Sequence, residues 1–281
     1  MTFTTIISAR ALYERLGDPE VVVFDCRHSL ADFSLGRRLC DESHVPGAFF
    51  AAVEEDLAGT KTGTNGRHPL PDPETFARFL MLCGVGDTTQ IVAYDAGADF
   101  FAPRLWFLSR WIGHDAVAIL DGGFAAWNEL GYPVTAVPSK PEREGTLTIC
   151  LHPEFLVDAQ FVYENLHAAR IQLLDARAAE RYRGEVEPID RAAGHIPGAV
   201  NRWFKDNFES SGQLKSPETL RSEFAKAGLD PKRTLHYCGS GLSSAVTQLA
   251  MQHAGLEGSR IYNGSWSEWV ADPSRPTATG T

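Results

Sequence analysis

"TLHYCGSGLSSAVTQLAMQHAG", residues 234–255, carries three signals in a short span. "TLHY" reads as a buried strand, "CGSGLS" as a turn of small residues, and "SAVTQLAMQHAG" as a helix with Gly255 at its C-cap. A strand that runs through a brief loop into a helix is the building unit of an open α/β sheet, and in such sheets ligands sit beyond the carboxyl ends of the strands. Cys238 falls at that place. Gly239 and Gly241 permit backbone angles closed to other residues, so successive N–H groups can converge into a cradle. A cradle of amides, with the positive end of a helix behind it, favours thiolate over thiol. A lone cysteine is more often a packing residue, but the glycines and serines of this turn favour a nucleophile.

The same order of signals occurs twice. "SARALYERL" (8–16) and "DAQFVYENL" (158–166) share Ala, Tyr, Glu and Leu at matching places. Seventeen residues beyond Ser8 and Asp158 stand Asp25 and Asp175, each closing an apolar strand in an Asp-x-Arg pattern with Arg27 or Arg177. "HVPGA" follows at His44 and "HIPGA" at His195; "IVAYD" (91–95) answers "TLHYC" (234–238), and "DGGFAAW" (121–127) answers "NGSWSEW" (263–269). Ordered repetition of this kind indicates a duplicated domain. The expected division is residues 1–134, a linker over 135–150 rich in Pro and charge, and residues 151–281. Within each half, β-branched runs such as "VVVF" and "QIVAY" alternate with helical segments such as "PETFARFLMLCG" and "PETLRSEFAKAG". That alternation predicts α/β domains, each a mostly parallel sheet flanked by helices. At the position of Cys238 the first half has Asp95, followed by bulkier residues, so thiol chemistry is expected in the second half alone and Asp95 reads as a cap for its loop.

Composition limits the partners. With 26 Lys and Arg against 36 Asp and Glu, the chain of 281 residues carries a net charge of −10, which argues against nucleic-acid and anionic-membrane surfaces. No stretch approaches the length of an apolar membrane span, and the start lacks a secretory pattern, so a cytoplasmic location is expected. Five scattered cysteines without a CxxC pair suggest neither a zinc site nor a disulfide framework.

Taken together, the paired "H(V/I)PGA" motifs, the Asp-x-Arg pairs, the Cys-led loop in one half and "NGSWSEW" resemble the tandem-domain rhodaneses, the thiosulfate and 3-mercaptopyruvate sulfurtransferases. The resemblance covers nearly the whole chain. It implies transfer of sulfane sulfur through a Cys238 persulfide, from a small-molecule donor to thioredoxin, glutathione, another thiol or cyanide, with no metal or organic cofactor. "CGSG" is similar to the 3-mercaptopyruvate branch; Leu242 and Ser243 stand where that branch has Val and Thr. Under the resemblance, Gly239, Gly241, Leu242 and Ser243 shape the persulfide loop, and Ser240 and His68 of "NGRHPLP" match two members of a proton-handling triad. The acidic member falls nearest Glu54, with Glu55 and Asp56 as competitors. Arg181, in "RYRG", takes the place of the first substrate-binding arginine; the position expected for the second holds Asp190, with Arg191 one step further as the candidate.

Rival readings separate on single residues. A cysteine phosphatase would need an Arg six positions after the cysteine, where Ser244 stands. A thiosulfate-preferring enzyme, or a persulfide carrier that passes sulfur to a protein partner, would keep the same loop and differ in donor or in turnover.

Overall fold

A computed structural model describes residues 2–166, 168 and 170–281. The chain forms two compact units that are not contiguous in sequence. The first comprises Met1–Gly59, Pro71–His152 and Phe208–Leu214; the second comprises Thr60–Leu70, Pro153–Asn207 and Lys215–Thr281.

In the first unit the elements run β1 (Ile6–Ile7), α1 (Ala9–Tyr13), β2 (Val21–Asp25), α2 (Leu35–Glu42), β3 (Ala48–Phe50), α3 (Pro73–Leu82), β4 (Gln90–Tyr94), α4 (Phe101–Trp111), β5 (Val117–Leu120) and α5 (Gly123–Glu129). In the second they run β6 (Leu156–Val157), α6 (Ala159–Asn165), β7 (Gln172–Asp175), α7 (Ala179–Tyr182), β8 (Val200–Asn201), α8 (Pro217–Lys226), β9 (Thr234–Tyr237), α9 (Ser244–His253), β10 (Arg260–Tyr262) and α10 (Ser265–Trp269). The sheet orders are β1-β5-β4-β2-β3 and β6-β10-β9-β7-β8, the same permutation twice. Every pairing is parallel. Each unit is therefore an α/β domain with a five-stranded parallel sheet flanked by helices, as the alternation of runs predicts.

Local chemistry sets the helix starts. Asp72 accepts the Thr75 amide at 2.9 Å ahead of Pro73, and Ser216 accepts the Thr219 amide at 3.2 Å ahead of Pro217. Both are N-caps followed by proline at the first helical position, where its missing N–H costs nothing. The cores are apolar and closely matched: Val23, Val92, Tyr94 and Trp127 in the first unit, and Leu173, Leu235, Tyr237, Trp266 and Trp269 in the second.

The duplication extends to single hydrogen bonds. Tyr94 Oη accepts the Val45 amide and Tyr237 Oη the Ile196 amide, each at 3.2 Å. Asp25 binds Arg27, and Asp175 binds Arg177, as fully buried pairs. His44 and His195 each pair their main chain with a distant segment, Thr135 and Ala278, so both histidines serve structure. Asp95 accepts the Gly97 and Ala102 amides at 3.0 Å, the loop-capping role expected of it.

Candidate active site

Cys238 follows β9 directly, and the loop to α9 folds over its sulfur. The residue is 1% exposed. Gly241, at φ +85°, turns its amide onto Sγ with N···S 3.1 Å. A Cβ at residue 241 would lie 2.4 Å from the Asn263 carbonyl, so close approach and backbone sign both demand glycine. Ser244 Oγ lies 3.8 Å and Ser265 Oγ 3.9 Å from the sulfur. Burial pushes the thiol pKa up, but hydrogen bonds from the Ser243 side chain, the Ser240 and Ser244 amides and the Ser244 hydroxyl outweigh it. The net shift is downward, which increases the thiolate population at neutral pH.

The segment after β10 supports this loop from below. Trp266 N donates to the Cys238 carbonyl at 2.9 Å and Ser267 N to the Gly239 carbonyl at 3.0 Å. The first unit has the same two bonds, Phe124 N to Asp95 O and Ala125 N to Ala96 O. One residue differs in kind. Gly123 adopts φ +61° in the first unit; at the matching position the second unit has Ser265 at φ +56°, a left-handed conformation that disfavours any residue with a Cβ. Its hydroxyl accepts the Cys238 amide at 3.1 Å and donates to the Tyr262 carbonyl at 3.0 Å. A single hydroxyl hydrogen directed at Tyr262 leaves the oxygen lone pairs for Cys238, so Ser265 fixes the Cys238 backbone.

The residues singled out in the sequence separate into those gathered at the loop and those placed elsewhere. Gly239, Ser240, Gly241, Leu242 and Ser243 form the loop itself, with Ser240 contributing its amide toward the sulfur. His68 is buried in the second unit, and its carbonyl accepts Asn263 Nδ2 at 3.2 Å. Asn263 thus touches both Gly241 and the His68 main chain. Arg181 Nη1 reaches to 3.4 Å from where a Gly239 Cβ would stand. Arg191 is exposed, and its charge acts on Asp272. Glu54 lies in the first unit, where its charge is felt by His28. Nearby, burial lifts Asp56 to about 6.

Four residues at the loop carry no assignment from the sequence: Ser244 and Ser265, beside the sulfur, Asn263, against Gly241, and Arg67, against Gly239. The repeat carried a usable signal for Ser265, since a serine opposite a glycine in otherwise matching motifs marks a position under added demand. Arg67 had none beyond its adjacency to His68.

Comparison with known proteins gives the family. The rhodanese-like domain model matches twice, over residues 8–130 and 158–272. A Pseudomonas aeruginosa protein named "Probable 3-mercaptopyruvate sulfurtransferase" is 43% identical over the full length of both chains. Mouse thiosulfate sulfurtransferase is 34% identical, with 95% of this chain and 92% of that one covered. The crystal structure of SseA from Escherichia coli superposes with a TM-score of 0.81 at 31% identity, over 94% of this chain and 99% of the other. With its twofold fold, its cysteine loop and these relatives, the chain belongs to the rhodanese family of sulfurtransferases, in its tandem-domain form.

Proposed function

We propose that the protein moves sulfane sulfur from 3-mercaptopyruvate through a persulfide on Cys238 to a thiol acceptor or cyanide. The Cys238 thiolate attacks the donor sulfur; the carbon–sulfur bond breaks, its electron pair goes to the adjacent carbon, and that carbon takes up the proton released by the donor thiol, giving pyruvate. The enzyme is left as Cys–S–S⁻. An acceptor thiolate then attacks the outer sulfur, the S–S bond breaks, and its electron pair regenerates the Cys238 thiolate. This is covalent catalysis in two half-reactions.

The observation that carries this reading is the buried sulfur with the Gly241 amide at 3.1 Å and the Ser244 hydroxyl at 3.8 Å. Those donors suit an anion on the first sulfur and on the one beyond it. Ser240 and His68 are the candidates for moving the proton, with Glu54 the proposed carboxylate. The hydroxyl-rich loop favours 3-mercaptopyruvate over thiosulfate. Thioredoxin or glutathione in the cytoplasm would suit a chain whose five cysteines are all unbridged. Among the described residues no helix is long and apolar enough to cross a membrane.

Incubation with donor should add about 32 Da, one sulfur, to the peptide bearing Cys238. Cys238→Ser should abolish turnover of both 3-mercaptopyruvate and thiosulfate, and retained turnover would exclude the persulfide route. A rate with thiosulfate orders of magnitude above that with 3-mercaptopyruvate would reverse the donor assignment.

A further inference from the structure

Resting on the persulfide chemistry of Cys238, we propose that Arg67 is the second cation that binds the donor's carboxylate, acting as a pair with Arg181. A side chain at residue 239 would place its first carbon 2.9 Å from Arg67 Nη2, 3.4 Å from Arg181 Nη1 and 3.7 Å from Arg181 Nη2. Two guanidinium groups therefore converge on one point, at the residue next to the nucleophile. Like charges brought together in this way need an anion between them.

Part of that need is met within the protein. Asp190, its side chain 5% exposed, accepts Arg67 Nη1 on Oδ1 and Arg181 Nη2 on Oδ2 at 3.3 Å. Glu187 holds Arg181 more closely, at 2.7 and 2.9 Å, and accepts the Asp190 amide at 3.0 Å. The acids thus fix where the guanidinium groups stand, and the long Arg181–Asp190 bond leaves donor capacity for a further carboxylate. Arg67 and Arg181 retain side-chain exposures of 29% and 19%, enough for an incoming anion to reach them.

The main chain of Arg67 is held as firmly as that of the loop it faces. Its amide donates to Ser267 Oγ at 3.1 Å, and Gly66, at φ +82°, packs against the Gly264 carbonyl. The segment that carries Ser265 beneath Cys238 therefore also carries Arg67. Arg191, the candidate suggested by order along the chain, is exposed beside Asp272.

The test compares kcat/KM for 3-mercaptopyruvate and for its uncharged methyl ester in the wild type, Arg67→Gln, Arg67→Lys and Arg181→Gln. Losing one charged hydrogen-bonding partner should cut the preference for acid over ester by about 10-fold to 100-fold in Arg67→Gln, mainly through KM for the acid. Arg67→Lys, which keeps the charge but not the fork, should recover part of it. If Arg67→Gln lowers both donors equally, or leaves the preference unchanged while Arg181→Gln reduces it, Arg67 only supports the loop and the assignment fails. A wild type whose Cys238 gains no sulfur from either donor overturns the persulfide chemistry itself, a separate and distinguishable result.

Discussion

Gly241 donates its amide to Cys238 Sγ across three residues of chain, with the nitrogen 3.1 Å from the sulfur and φ at +85°. Both the hydrogen bond and the turn that aims it depend on the missing side chain. Gly241→Ala should destabilise the protein by about 1–3 kcal/mol in urea unfolding. It should also slow alkylation of Cys238 by iodoacetamide; normal stability together with normal reactivity would refute this account of the loop.

Ser265 couples strain to function. Ser265→Gly removes the hydroxyl and relieves the left-handed backbone, whereas Ser265→Ala removes the hydroxyl and keeps the strain. Both should lose turnover, and the glycine variant should be the more stable by about 1 kcal/mol, read from denaturant midpoints. Full activity in Ser265→Gly would show that the hydroxyl does not position Cys238.

The acidity of Cys238 gives a pH test. Its pKa is lowered because hydrogen bonds to the thiolate outweigh the opposing effect of burial. The midpoint of the alkylation rate against pH should lie below that of an ordinary thiol. Ser244→Ala, which removes one stabilising hydroxyl, should move the midpoint upward; a downward shift would mean that Ser244 stabilises the thiol instead.

His236 gives a stability test with the opposite chemistry. Its ring is fully buried in β9, Nδ1 is 2.8 Å from Thr247 Oγ1, and burial pushes the pKa from 6.5 down to about 3. The unfolded chain therefore binds more protons than the folded one between these values. Stability should be fully expressed above about pH 6.5 and fall as the pH drops, with a slope of up to about 1.4 kcal/mol per unit. His236→Gln should flatten that slope between pH 4 and 6; an unchanged slope would place the acid sensitivity elsewhere.

Much of this was legible in the sequence, because strand, turn and helix signals are local and the duplication displayed them twice. The alternation of apolar runs foretold two parallel α/β sheets, and "CGSGLS" foretold the turn that carries Cys238 between strand and helix. Local pattern also identified Gly241, whose role follows from backbone sterics. The arginines were less legible. Counting along the chain gives Arg191 as a candidate, but sequence order is a guide to position only where the backbone keeps a fixed register, and residues 183–194 form an irregular loop.

By itself, then, the sequence determined the α/β class, the duplication and the place of Cys238 between strand and helix, since each depends on residues within a few positions of one another. Only the tertiary structure decided which distant groups meet its loop: Ser265, 27 positions later, at the Cys238 amide, Arg67, 171 positions before Cys238, beside Gly239, and Asp190 between two guanidinium groups. Electrostatic and hydrogen-bonded contacts act over a few ångströms of space, and chain separation does not enter their energy.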